Sequence, residues 1–303
     1  MKVEGFDNRK ITKSFAPGSE WVYFKIYSSP KASDKMLAQL IRPYISAAFG
    51  QNLADQWFFI RYNDPHYHLR LRIHSPDNAN YHEVVSLFKD HSDPFLSNGL
   101  IHNIQFDTYH REIERYGPGT MEYSEKVFFY DSEMCVELIE VLRGDEKEEA
   151  RWLTSLQATN ALLDDFKYRQ TEKLELLRKM SKRFGDEFHK NADLARQISR
   201  KYRDHRQKID TVIFGEDDSV MGKYARTVIR KRSVMIEPLA SRIVLYLEKE
   251  KKVLLDDLLG SYIHMMMNRM FRTRQRLMEM VLYDFLFRTY KSAMAKNHYQ
   301  NSC

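Results

Sequence analysis

Four basic side chains spaced two residues apart carry the strongest chemical signal. In "HLRLRIH" (68–74), His68, Arg70, Arg72 and His74 alternate with Leu69, Leu71 and Ile73. A strand sends successive side chains to opposite faces. One face is therefore expected to be apolar, and the other to carry two guanidinium and two imidazole groups. The Cα atoms of Arg70 and Arg72 would stand about 6 to 7 Å apart. Such a wall suits anions, because a guanidinium is a planar, permanently charged fork that pairs with a carboxylate through two hydrogen bonds. The bland alternative is a solvated face, or charges that block edge pairing. Two further basic elements weigh against it. Arg111 and Arg115 sit in "HREIERYGPG" (110–119), shortly after a strand-like run. His264 sits in the mostly apolar "SYIHMMMNRMF" (261–271), where His264, Asn268 and Arg272 follow one helical line at i, i+4 and i+8. Taken alone, His264 reads as a core histidine with a satisfied hydrogen bond.

Other chemistries find less support. His66, His68 and His74 are close in sequence, but no HExxH or CxxC accompanies them, so no metal is expected. No nucleophile elbow, GxGxxG or P-loop is present. Nucleic-acid binding fits the basic balance, yet acidic residues interleave with the basic ones after residue 146.

The elements that must position these residues are legible in outline. "WFFIRYNDPHYHLRLRIHS" (57–75) reads as two strands around Asn63, Asp64 and Pro65, a short turn that favours an antiparallel hairpin. "WVYFKIY" (21–27) alternates as a strand. "MLAQLIRPYISAAF" (36–49), "NYHEVVSLFKDH" (80–91) and "SEKVFFYDSEMCVELIEVL" (124–142) have helical spacing. Gly117-Pro118-Gly119 ends the segment that begins "IQFDTYH" (104–110). Gly144-Asp145 marks a shift, and from Glu146 onward the chain is almost all helix-period sequence. Residues 253–287 form the longest apolar-periodic segment and should be buried against the sheet or the bundle. The polar segment 200–218 is expected to be a mobile connection. The fold class is thus α+β: a mostly antiparallel sheet with flanking helices in residues 1–143, packed on a helical region (144–303) that contributes His264, as one integrated domain.

The 303 residues suffice for a sizeable core, with 43% hydrophobic and 30% charged side chains. The net charge of +6 favours anionic partners without naming one. Cys135 and Cys303 are far apart, and no disulfide framework is expected. "MKVEGFDNRKITKS" (1–14) has no apolar signal core, and no run of about 18 apolar residues marks a membrane span. A cytoplasmic protein is expected.

Four of these pieces in order ("WFFIRYNDP" with "HLRLRI", "TYHREIERYG", "EKVFFYDS" and "SYIHMMMNRMF") resemble the C-terminal, glutamate-eliminating domain of lantibiotic dehydratases, a domain that also occurs as a separate chain in thiopeptide biosynthesis. The resemblance runs from about Trp21 to about Phe287. It implies one half of a split enzyme, a lyase that removes glutamate from glutamylated Ser or Thr of a precursor peptide and leaves dehydroalanine or dehydrobutyrine. It implies Arg72, Arg115 and His264 as catalytic residues. Arg70, Arg111 (a position that varies in the family) and Asn268 are implied as substrate-binding. It implies no cofactor. The implied partners are a precursor peptide with its leader and a separate tRNA-dependent glutamylation protein, with a cyclase and a second copy of the chain as further partners it allows. Two departures stand out: Gly117-Pro118-Gly119 replaces a Gly-Gly pair, and Met266 and Met267 replace a polar or basic stretch after His264-Met265. Stand-alone relatives also catalyse a [4+2] cycloaddition that forms a pyridine ring. A non-catalytic module that binds the leader strand on a sheet edge is the alternative of another class.

Overall fold

In a computed structural model the chain is described over residues 11–142, 144, 147–250 and 252–300, the last four for their backbone only. Cys303, the start of the N-terminal stretch and Asp145-Glu146 at the expected boundary lie outside these residues. The alternating runs form an antiparallel sheet. Strands β2 (Trp21–Ser28), β3 (Gln56–Asn63), β4 (Tyr67–His74) and β5 (Ile101–Phe106) lie in the order β3-β4-β2-β5. A short ribbon pairs β1 (Ser14–Phe15) with β6 (Tyr109–His110). The fold is α+β, as expected, with the sheet in the first part of the chain and helices after it.

Period 2 decides what each face carries. Val22, Phe24, Ile26, Phe59, Leu69, Leu71 and Ile73 are buried on one face. There α1 (Pro30–Met36) runs through a π-helical turn into α2 (Arg42–Gly50), and α3 (Tyr81–Ser97) stacks Phe88 on Phe24 at 4.1 Å. The opposite face aligns Phe58, Arg72 and Tyr23 in one row. Ile60, Arg70 and Lys25 form the next row, and Tyr62, His68 and Tyr27 the third. The basic wall is thus interleaved with aromatic rings on the neighbouring strands.

The outer edge of β3 is covered rather than left open, which removes a pairing hazard. Helix α5 (Met121–Val141) offers Ser132 Oγ to the Phe59 N–H at 3.4 Å. Helix α10 (Leu255–Met270) clasps the same edge. Arg269 Nε donates to the Phe59 carbonyl at 2.9 Å, and Arg61 Nε donates to the Arg269 carbonyl at 2.9 Å. Both guanidinia are buried, and each has a carboxylate. Asp34 accepts from Arg61 and from Arg151 of α6 (Glu148–Asp165), each at 2.7 Å. Asp131 pairs with Arg269 at 3.0 Å and with Arg232 of α9 (Val220–Glu250) at 3.3 Å. Burial alone would raise the Asp34 pKa, but Arg61 and Arg151 outweigh it and hold the carboxyl below the usual range.

One expectation about the helical region changes. Residues 200–214 are no connection but the second half of α8 (Ala192–Phe214). Ile198, Tyr202, Ile209 and Ile213 make a buried stripe too sparse to stand out against the surrounding charge. The long segment 253–287 is two helices, α10 and α11 (Gln275–Gln300). The break falls at residues 271–274, where Phe271 is extended and Arg274 has φ of 55°. This bend lets α11 turn back against α7 (Gln170–Glu187) and α8 and bring Glu279 beside α10.

Candidate active site

Arg72 is the centre of the basic face. It is 9% exposed, and its guanidinium lies 4.5 Å from the Tyr23 ring, 4.7 Å from Tyr109 and 5.3 Å from Phe58. These contacts favour a cation through the ring quadrupoles. Among the described residues Arg72 has no carboxylate, and its buried Nε donor has no acceptor. Arg61, Arg151, Arg232 and Arg269 are still more deeply buried, and three of them also have one nitrogen without an acceptor, but all four pair with an aspartate. A cation taken out of water without a partner is costly. Arg72 is therefore the exception that asks for an anion.

Arg70 stands beside it. Its guanidinium carbon lies 3.4 Å from the Tyr62 ring centroid, and its Nε donates to His68 Nε2 at 3.1 Å. It too has no carboxylate partner among the described residues. Lys25, directly across from Arg70 on β2, is already paired with Asp107.

Arg115 belongs to α4 (Ile113–Tyr116), a single turn between β6 and α5. Gly117 ends that turn with φ of 78°, which a glycine adopts without strain. Arg115 Nε donates to Ser261 Oγ at 3.0 Å, and its Nη1 pairs with Glu112 at 3.2 Å. Ser261 precedes His264 by about one turn of α10, so Arg115 contacts that helix about one turn before His264. Tyr116, next to Arg115, is buried, and burial pushes its phenol up while Arg115 and Arg72 both pull it down.

His264 Nδ1 lies 2.7 Å from Glu279 Oε1 of α11. Glu279 is fully buried and also receives the Tyr283 hydroxyl at 3.4 Å, while the His264 side chain is 24% exposed. A carboxylate on Nδ1 sets the tautomer: the neutral ring keeps its proton there and presents Nε2 as a lone pair.

Arg111 and Asn268 are engaged with the protein. Arg111 makes two hydrogen bonds to Glu125, at 2.7 and 2.6 Å, and lies over the Phe15 ring, tying β1 and β6 to α5. Asn268 uses both ends of its amide on β3, accepting from the Arg61 N–H and donating to the Arg61 carbonyl, each at 2.8 Å. Asn268→Ala should leave both backbone groups without their partner and cost about 1 to 3 kcal/mol of stability. A lowered urea midpoint with an unchanged KM for peptide would show that its work is to hold α10 on the sheet.

Among the described residues no group of three His, Cys, Asp or Glu is placed to hold a metal, and no helix is long and apolar enough to cross a membrane. Open grooves lie elsewhere, one of about 1010 Å³ between α7 and α11 and one along α8, and neither is lined by the residues above. The unpaired buried guanidinium is the stronger pointer, because an open groove costs the fold nothing.

Residues 21–290 match the family described as "Lantibiotic biosynthesis dehydratase C-term". The chain belongs to this family. Among curated proteins, the lantibiotic dehydratase C-terminal chain is similar to the subtilin biosynthesis protein SpaB of Bacillus subtilis, at 26% identity over 92% of this chain and 26% of SpaB. It is 32% identical to the nisin biosynthesis protein NisB of Lactococcus lactis subsp. lactis over 44% of this chain and 13% of NisB. It thus spans about a quarter or less of these relatives. Two solved structures share the fold. The tRNA-dependent lantibiotic dehydratase MibB from Microbispora sp. 107891 superposes with a TM-score of 0.72 at 17% identity, over 95% of this chain and 29% of MibB. The pyridine synthase TbtD from thiomuracin biosynthesis gives 0.62 at 14% identity, over 90% and 99%. Membership places the chain among enzymes of antibiotic-peptide biosynthesis.

The aromatic cage (Tyr23, Phe58, Tyr109), Tyr116, Ser261, Glu112 and Glu279 do not figure in the sequence reading. Ser261 had a signal, lying one turn before His264. Glu279 had none, because the bend at 271–274 brings it in from the next helix.

Proposed function

We propose that this chain eliminates glutamate from glutamyl esters of Ser and Thr in a precursor peptide. The observation that carries this reading is the pair Arg70 and Arg72, two partly or fully buried cations without a carboxylate on one sheet face. The substrate supplies what they lack. Its ester leaves as a carboxylate, the glutamyl side chain holds a second carboxylate, and charge builds on the carbonyl oxygen beside Cα. Fixed cations in a screened site stabilise that developing charge.

His264 Nε2 takes the Cα proton. The electron pair of the Cα–H bond becomes the Cα=Cβ double bond. The Cβ–O bond breaks, and its electrons leave on the glutamate carboxylate. A carboxylate needs no proton to depart, so the proton that must be moved is the one on Cα, and a base is required. Arg72 faces the developing enolate, Arg70 the glutamyl side chain, and Arg115 the leaving carboxylate. No cofactor enters any of these roles. A separate glutamylation protein using glutamyl-tRNA would supply the ester.

The test is mass spectrometry of a synthetic glutamyl-seryl peptide after incubation with the purified chain. Loss of glutamate with formation of dehydroalanine is the expected result. Bound but intact ester would instead favour a leader-binding module. The pyridine synthase TbtD shares the fold over nearly its whole length, so a peptide with two dehydroalanines belongs in the same experiment. Cycloaddition releases no carboxylate and has no use for two unpaired guanidinia, and no ring product is expected.

A further inference from the structure

His68 is buried in the basic face, 1% exposed, and has no role in the chemistry above. Its ring lies 4.7 Å from the Tyr27 ring and 5.5 Å from Tyr62. Both nitrogens are engaged. Nδ1 is 2.8 Å from the His66 carbonyl, and Nε2 is 3.1 Å from Arg70 Nε. The Arg70 Nε–H can only donate, so His68 Nε2 must accept. The proton therefore sits on Nδ1 and is given to His66. The tautomer follows from the two partners.

We propose that His68 is a positioning residue: it aims the Arg70 fork at the side-chain carboxylate of the glutamyl ester and thereby selects glutamyl over uncharged acyl groups. This rests on the elimination reading. Tyr62 fixes the plane of the guanidinium from below, and His68 fixes its Nε edge. The two terminal nitrogens, the edge that binds a carboxylate bidentately, remain without a partner among the described residues. A carboxylate in place of His68 would orient Arg70 equally well but neutralise it. A neutral imidazole orients the cation and leaves its charge for the substrate.

The same geometry makes the clamp sensitive to acid. Burial, Arg70 and Lys25 lower the His68 pKa, while the His66 carbonyl and Asp64 oppose them. Tyr27 of β2 and Tyr62 of β3 are the other titratable groups against the ring. Below the ordinary histidine value of about 6.5, protonation would turn the acceptor into a donor facing a donor. Arg70 would then lose its support.

The experiment compares two synthetic peptides, one carrying a glutamyl-seryl ester and one a glutaminyl-seryl ester, by KM and kcat. In the wild type the glutamyl ester should have the lower KM. His68→Ala should raise that KM about tenfold, the usual worth of a hydrogen bond to a charged group. Its kcat and its constants for the glutaminyl ester should stay near wild type. His68→Gln, whose amide oxygen can accept but does not titrate, should recover much of the discrimination and lose its pH dependence. In the wild type the discrimination should hold at neutral pH and be lost only below the ordinary histidine value of about 6.5, because the His68 pKa is lowered. A wild type that eliminates neither ester overturns the lyase reading and this assignment with it. Elimination with equal discrimination in the wild type, His68→Ala and His68→Gln overturns the assignment alone.

Discussion

Arg72→Met should lower the rate of glutamate elimination about 100- to 1000-fold, or about 3 to 4 kcal/mol in the barrier, the usual cost of one preorganised donor. The same change should leave the protein as stable as before, or slightly more so. Arg72 is buried with an orphaned Nε and no carboxylate. Its contacts with Tyr23, Tyr109 and Phe58 return part of that cost through cation–π attraction, each worth about 0.5 to 2 kcal/mol. Methionine fills similar space and matches the rings with a polarizable thioether. Loss of activity without loss of stability marks a residue held against the interests of the fold. The readouts are single-turnover elimination by mass spectrometry and a urea denaturation curve. An Arg72→Met protein that eliminated at the wild-type rate would remove the reason for placing the chemistry on this face.

That expectation separates Arg72 from arginines that look like it on paper. Arg61 lies in the same hairpin and is just as buried, but it points to the other face of the sheet and meets Asp34. Arg269 lies five residues after His264 and meets Asp131. Losing either would leave an aspartate with fewer partners in the interior and should weaken the fold itself. Arginine in a sequence carries no mark of which kind it is. The distinction is where the carboxylates are, and Asp34 and Asp131 come from other helices, 27 residues before Arg61 and 138 before Arg269.

The sheet was legible because its signals are local. Alternation in residues 21–27 and 68–74 and the short turn after Tyr62 require no knowledge of the rest of the chain, and the observed register follows them. The identity of the basic face came from the same alternation. Its surroundings did not, because Tyr109, Tyr116 and Glu279 arrive through tertiary packing. The polar stretch 200–214 misled for a related reason. A helix of 23 residues that buries only Ile198, Tyr202, Ile209 and Ile213 looks like a loop until the helices beside it are known. Arg111 shows the limit of reading charge alone: it stands shortly before Arg115, but Glu125 of α5 takes its Nε–Nη2 edge and the Thr12 carbonyl takes Nη1.

His264→Ala should reduce elimination about 100- to 10,000-fold, the range expected for a lost general base. The ring is well placed to serve as one. Its Nδ1 is committed to Glu279, and its side chain is open enough for Nε2 to reach a substrate. Glu279→Gln tests the arrangement from behind. The amide keeps the shape, but it can offer an N–H to Nδ1 and so favour the wrong tautomer, as when an amide replaces the carboxylate of a catalytic triad. At least a tenfold loss is expected there, smaller than that of His264→Ala because the imidazole remains. Added imidazole separates a missing base from a damaged pocket. It should restore part of the activity of His264→Ala, since the vacated space is partly open to solvent, and should do nothing for Arg72→Met. A Cα-deuterated ester adds a second readout: if proton removal limits the rate, the isotope effect should grow in Glu279→Gln, where the base is weakened and the arginines are intact. Full activity in His264→Ala would move the base elsewhere on the face and leave the anion-holding arginines to be explained by binding alone.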